Sequence, residues 1–148
     1  MANAAAYGTV CDVRRAGEHD LDFVLRAQAA CCFDTDVELP ADVVMAGLRS
    51  GQLEVYILDA NEVPRMCVSV QSEGNRALLA AFYREGPPKG LLREAEILLV
   101  NVEAMLKARG IEQISAFLSW DNPRYVKLMS LYFRLGFISD MTRVSKEI

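Results

Sequence analysis

The sequence predicts an α/β protein built as one domain over 1–148. Its sheet is mixed and mostly antiparallel, flanked by helices, in the order β-α-α-β-β-β-α-β-α-β. Three observations lead there. Between Leu53 and Tyr83, apolar residues first alternate with polar ones and then run together, the patterns of half-buried and fully covered strands. Before and after that stretch, apolar residues recur every three or four positions, the period of helices. The 148 residues, 52% of them hydrophobic and 24% charged, suffice for a core that needs no metal or staple. No repeat, low-complexity tract or linker-like stretch divides the chain.

The elements follow in order. Tyr7 to Arg14 reads as a first strand through Val10 and Val13, and Gly17 breaks it. Asp20 to Phe33 places Leu21, Val24, Leu25 and Cys31 on one helical stripe. Pro40 opens a second helix carrying Val43, Val44 and Leu48, and Gly51 is placed to end it. Leu53, Val55 and Ile57 then alternate, as do Met66, Val68 and Val70, with a turn expected at Asp59–Glu62. A further turn at Ser72–Asn75 leads to Arg76–Tyr83, a more uniformly apolar strand. From Pro87 the helical period returns with Leu91, Ala95, Leu98, Val102 and Met105, and Gly110 fits the residue after the helix end. Ile111–Trp120 is again a strand. Asn122 caps a helix with Pro123 in its first position, Tyr125, Leu128, Met129, Tyr132 and Leu135 forming its stripe and Gly136 its stop. Phe137–Ile148 holds one last strand.

Composition narrows the function classes. Sixteen Lys and Arg against twenty Asp and Glu give a net charge of −4, which argues against a nucleic-acid partner. Arg84, Lys89 and Arg93 do cluster beside Tyr83, but Glu85, Glu94 and Glu96 cancel their field. No apolar run reaches the roughly 18 residues of a membrane span, and the N-terminus lacks the charged and apolar regions of a secretory signal. The expectation is a soluble protein of the cytoplasm or of a larger assembly, without a membrane partner. Cys11, Cys31, Cys32 and Cys67 have no metal-ligand spacing, and His19 is the only histidine, so no metal is expected. The cysteines read as buried thiols.

The element order, together with Leu131-Tyr132-Phe133-Arg134-Leu135-Gly136-Phe137, resembles the GNAT superfamily of acetyl-CoA-dependent N-acetyltransferases. That family's fourth helix commonly ends in L-Y-x-x-L-G-F, and an Asn at the helix start, here Asn122, is also family-like. The order covers nearly the whole chain, the residue-level match about its last quarter. The resemblance implies acetyl-CoA as co-substrate and a primary amine as acceptor. It implies Tyr132 as the general acid that protonates the departing thiolate, a task suited to a phenol neutral at pH 7. Backbone N–H groups near Ala81 and Phe82 would hold the thioester carbonyl. Asn122 and the junction Arg84, Gly86, Lys89 and Gly90 would bind the rest of the cofactor. Glu54, Glu85 and Asp121 are candidate bases for the amine proton.

The sequence also departs from the family pattern. The cofactor loop of the family reads Q/R-x-x-G-x-G/A, whereas here Pro87 and Pro88 remove two of the N–H donors a phosphate cradle uses. Asn122 and Tyr132 are one helical turn out of the family's register. Twelve residues follow Gly136, fewer than two long strands need, which leaves a sheet edge able to pair with a partner. Two readings therefore stand: an active acetyltransferase, or a catalytically silent GNAT-fold subunit that binds a protein partner or its own copies, for example in a phage or other multi-protein particle. Whether Tyr83, Phe117 and Trp120 fill the space between the fourth and fifth strands discriminates them.

Overall fold

The computed structural model describes residues 9–31, 39–117, 125–140 and 143–148. The strands are β1 Cys11–Arg15, β2 Glu54–Ala60, β3 Val63–Glu73, β4 Arg76–Arg84, β5 Gln113–Phe117, β6 Ile138–Asp140 and β7 Arg143–Glu147. The helices are α1 Leu21–Cys31, entered through a 3-10 turn at Glu18–Asp20, α2 Ala41–Ser50, α3 Leu91–Ala108 and α4 Tyr125–Arg134. All seven strands form one sheet in the order β1-β2-β3-β4-β5-β7-β6. Every pairing is antiparallel except β4 with β5. A parallel pair needs a crossover, and α3 supplies it.

The expected order holds, with three differences of detail. The turn between β2 and β3 shrinks to Asn61 and Glu62, whose φ values of 51° and 69° give the two-residue hairpin that matches strand twist. The third helix begins at Leu91 rather than Pro87, so both prolines lie in the loop before it. The last segment makes two strands instead of one. β7 pairs along β5 and the three-residue β6 lies outside it. Short strands let twelve residues do what seemed to need more, and the sheet edge is correspondingly short.

Alternation along the strands sends side chains to opposite faces. Val55, Ile57 and Cys67 pack with Phe23, Val24 and Ala27 of α1 and Val44 and Leu48 of α2. Tyr56, Leu58, Met66, Val68 and Leu79 pack on the other face with Leu98, Val102 and Leu106 of α3 and Leu131 and Tyr132 of α4. The two-residue period in the sequence thus becomes two separate cores. Beyond them, Arg14 ties β1 to its surroundings. Its guanidinium donates to both oxygens of Asp20 at 2.8 Å and to Asp59 Oδ2 at 2.6 Å.

Candidate active site

β4 runs well past its pairing with β5. Their pairing runs from Arg76↔Gln113 to Leu79↔Ala116 and stops, while β4 continues to Arg84. Among the described residues, Ala80–Arg84 has no strand partner on that side. On its other side β4 bulges. Cys67 pairs with Tyr83 and Ser69 with Ala80, so Val68 alone faces both Ala81 and Phe82. A bulge leaves backbone groups outside the ladder and re-aims them, and it falls on the two residues expected to hold a carbonyl. The Cys31 thiol of α1 donates to the Phe82 carbonyl at 3.5 Å, and the Ser69 hydroxyl to that of Ala80 at 2.9 Å.

The loop from Glu85 to Gly90 joins this point to the start of α3. Gly86 and Gly90 both have positive φ, 114° and 88°. A Cβ on Gly86 would lie 3.0 Å from the Arg65 side chain, and one on Gly90 would lie 2.9 Å from Glu94 Oε2. The positive φ favours glycine at both positions, and a Cβ at either would also push aside the end of a neighbouring side chain. Lys89 and Arg93 are exposed. Arg84 is not: its side chain is buried, donating to the carbonyls of Pro87 and of Lys89, the latter at 3.2 Å, and pairing with the buried Glu94 at 3.2 Å. In the first turn of α3, the Leu91 N–H bonds the Pro88 carbonyl, while those of Gly90, Leu92 and Arg93 have no partner among the described residues. Open N–H groups at a helix start form an anion site when a ligand of the right charge arrives.

Tyr83 points to the α1 side, edge-on to Phe23 with ring centroids 5.6 Å apart. Its hydroxyl donates to Glu85 at 2.6 Å, and burial pushes its pKa up to about 12. Arg26 grips the same carboxylate, with Nη2 at 3.1 Å from Oε1, and holds it below its ordinary value. Glu85 is thus a weak proton acceptor. Glu54, another candidate base, lies elsewhere: both its oxygens accept from Arg109 Nη1, at 2.7 and 2.6 Å, beside the C-terminal end of α3. Asp121, Asn122 and Trp120 lie outside the described residues.

Tyr132 sits on the inner face of α4, 2% exposed, its ring 5.0 Å from that of Phe137. Burial raises its pKa, so the phenol stays protonated at neutral pH. A cleft of about 700 Å³ opens at the far end of the sheet, lined by Arg15, Glu54, Ser69, Gln71 and Arg109 among others. It includes no residue of the Glu85–Gly90 loop, touches the bulge only through Ser69, and its Glu54 is already held by Arg109 and by the Tyr56 hydroxyl at 3.0 Å.

Sequence reasoning missed Glu94, Arg65 and the role of Cys31. An acidic residue in the first turn of α3 is a visible signal for Glu94. Arg65 has none, because only β3–β4 pairing brings it beside the loop, where its carbonyl accepts from the Glu85 N–H at 2.8 Å.

No protein-family model and no curated protein matches the chain significantly. Solved structures do. A PaiA N-acetyltransferase from Thermoplasma acidophilum, in complex with coenzyme A, has a TM-score of 0.72 at 15% identity, covering 94% of this chain and 99% of that one. The ribosomal-protein-S18-alanine N-acetyltransferase of Escherichia coli has a TM-score of 0.71 at 13% identity, covering 94% of each chain. A putative acetyltransferase of Salmonella typhimurium, with its cofactor acetyl-CoA, has 0.70 at 17% identity, covering 93% of each. The chain has the GNAT fold.

Proposed function

We propose that the protein is an N-acetyltransferase, working as one domain over 1–148, that moves an acetyl group from acetyl-CoA to a primary amine. One observation carries the reading: the stretch of β4 beyond its last described pair with β5, with its bulge at Ala81–Phe82, leads straight into the loop before the open start of α3. The N–H groups of Gly90, Leu92 and Arg93, with the exposed Lys89, hold the diphosphate. The thioester arm lies between the strands, where N–H groups at Ala81 and Phe82 polarise its carbonyl. The amine attacks the carbonyl carbon, the C–S bond breaks, and the Tyr132 hydroxyl gives its proton to the sulfur. The amine proton leaves through water or through a group outside Glu54 and Glu85, both of which are held in ion pairs.

Two features favour this over the silent-subunit reading. The prolines sit before the first turn of α3 and so leave its own donors intact. Tyr83, one of the three side chains that could fill the cofactor space, packs edge-on against Phe23 of α1 instead. Calorimetric titration with acetyl-CoA and with CoA tests the proposal. Micromolar binding, about −8 kcal/mol, is the expected result. No heat and no melting shift at millimolar ligand overturns it. With an amine acceptor in hand, Tyr132→Phe should lower kcat about 100-fold or more at unchanged KM for acetyl-CoA.

A further inference from the structure

A buried ion pair is a costly thing for a fold to keep, and this one is incompletely satisfied. Among the described residues, Arg84 Nε and Glu94 Oε1 are both buried without a hydrogen-bond partner, and Glu94 Oε1 has Arg65 Nη1 at 3.8 Å. An apolar pair would fill the same space without that penalty, so stability alone does not account for it. What the pair does is set the direction of the loop's peptides. Arg84 draws the carbonyls of Pro87 and Lys89 inward. Across a planar trans peptide the N–H points opposite to the C=O. The inward carbonyl of Lys89 therefore turns the N–H of Gly90 outward, to join those of Leu92 and Arg93. No carbonyl of Pro87 or Lys89 is left facing outward to repel an anion.

Charge points the same way. Glu94 stands in the first turn of α3, where a bare carboxylate would take the place of an external anion. Arg84 neutralises it and Arg65 leaves the cluster with one net positive charge. We infer that Arg84 and Glu94 are positioning residues that shape the Glu85–Gly90 loop into a diphosphate-binding surface, replacing the order that the two prolines removed. The inference rests on the acetyl-CoA reading above and adds to it the residues that specify the diphosphate.

The test uses Arg84→Lys, which keeps the charge but loses the planar fork. Binding of CoA and of S-acetylpantetheine, which lacks the diphosphate, is measured on the full chain together with the melting temperature. The expected result is CoA binding at least tenfold weaker with S-acetylpantetheine within twofold of the parent. Unchanged CoA binding overturns the inference. So does a loss shared equally by both ligands, which marks a merely structural pair. If Arg84→Lys does not fold, Glu94→Gln decides. The inference expects weaker CoA binding even though a negative charge has left the site, and equal or tighter binding overturns it. A parent protein that binds no CoA overturns the acetyl-CoA reading itself, whereas a parent that binds while both variants bind equally well overturns only the positioning role.

Discussion

The two ends of α3 carry similar chemistry arranged to opposite effect. Each has an arginine paired with a glutamate. At the C-terminal end, Arg109 reaches both oxygens of Glu54, whose Oε2 also accepts from Tyr56. The backbone closes there too, since the N–H groups of Arg109, Gly110 and Ile111 all bond carbonyls of the last turn. At the N-terminal end, some 27 Å away along 18 residues at about 1.5 Å each, the Arg84–Glu94 pair is buried and, among the described residues, leaves a donor and an acceptor unmatched. Among the described residues, three backbone N–H groups beside it have no partner either. A finished end stabilises a helix, and an unfinished one is where a ligand can complete it.

Breaking the open end should have the largest effect. Gly90→Ala puts a side chain at positive φ against Glu94, and is expected to cost about 1–3 kcal/mol of stability. Its CoA binding should fall more than tenfold, a loss read by titration and a denaturant curve together. At the closed end, Arg109→Met strands the buried Glu54 and should cost about 1–2 kcal/mol, discounted for the exposure of Arg109. CoA affinity should be untouched there, and a change would end the contrast between the two ends.

A third cluster, Arg14 with Asp20 and Asp59, supplies a pH test of the closed type. Hydrogen bonds from Arg14 hold the Asp20 carboxyl below its ordinary value of 3.8. A lowered folded pKa means stability that is fully present above 3.8 and lost as the pH falls through the folded value. The melting temperature should therefore drop below about pH 4, and Asp20→Asn should flatten part of that limb. The smallest effect belongs to Lys89→Ala. Loss of one exposed charge beside the diphosphate should weaken CoA binding a few-fold at low salt, about 0.5–1 kcal/mol, and the difference should shrink as salt is added.

Much of this was legible before any coordinates. The run Leu53–Tyr83 announced antiparallel strands because side-chain alternation is a local consequence of the pleat. Gly136 after Tyr132 and Leu135 announced a helix stop for an equally local reason, the left-handed backbone that glycine tolerates. The helix starts at Leu91, four residues past the Pro87 from which its period is counted, because a proline signals a start wherever it stands, while Arg84 holds the Pro87 and Lys89 carbonyls in the loop. The bulge at Ala81–Phe82 left no mark either, since register belongs to a pair of strands and to neither alone.

The sequence by itself determined the elements, their order, the two faces of the sheet and the resemblance that named a chemistry. Those properties follow from residues within a turn or a strand of one another, where periodicity and φ preference act. Tertiary structure decided which residues face the site. It paired Glu54 with Arg109, 55 positions away, and closed it as a base. It drew Arg65 from β3 to the loop and sank Arg84 beneath it with Glu94. Such choices depend on burial and on contacts between distant segments, which come into being only when the chain has folded.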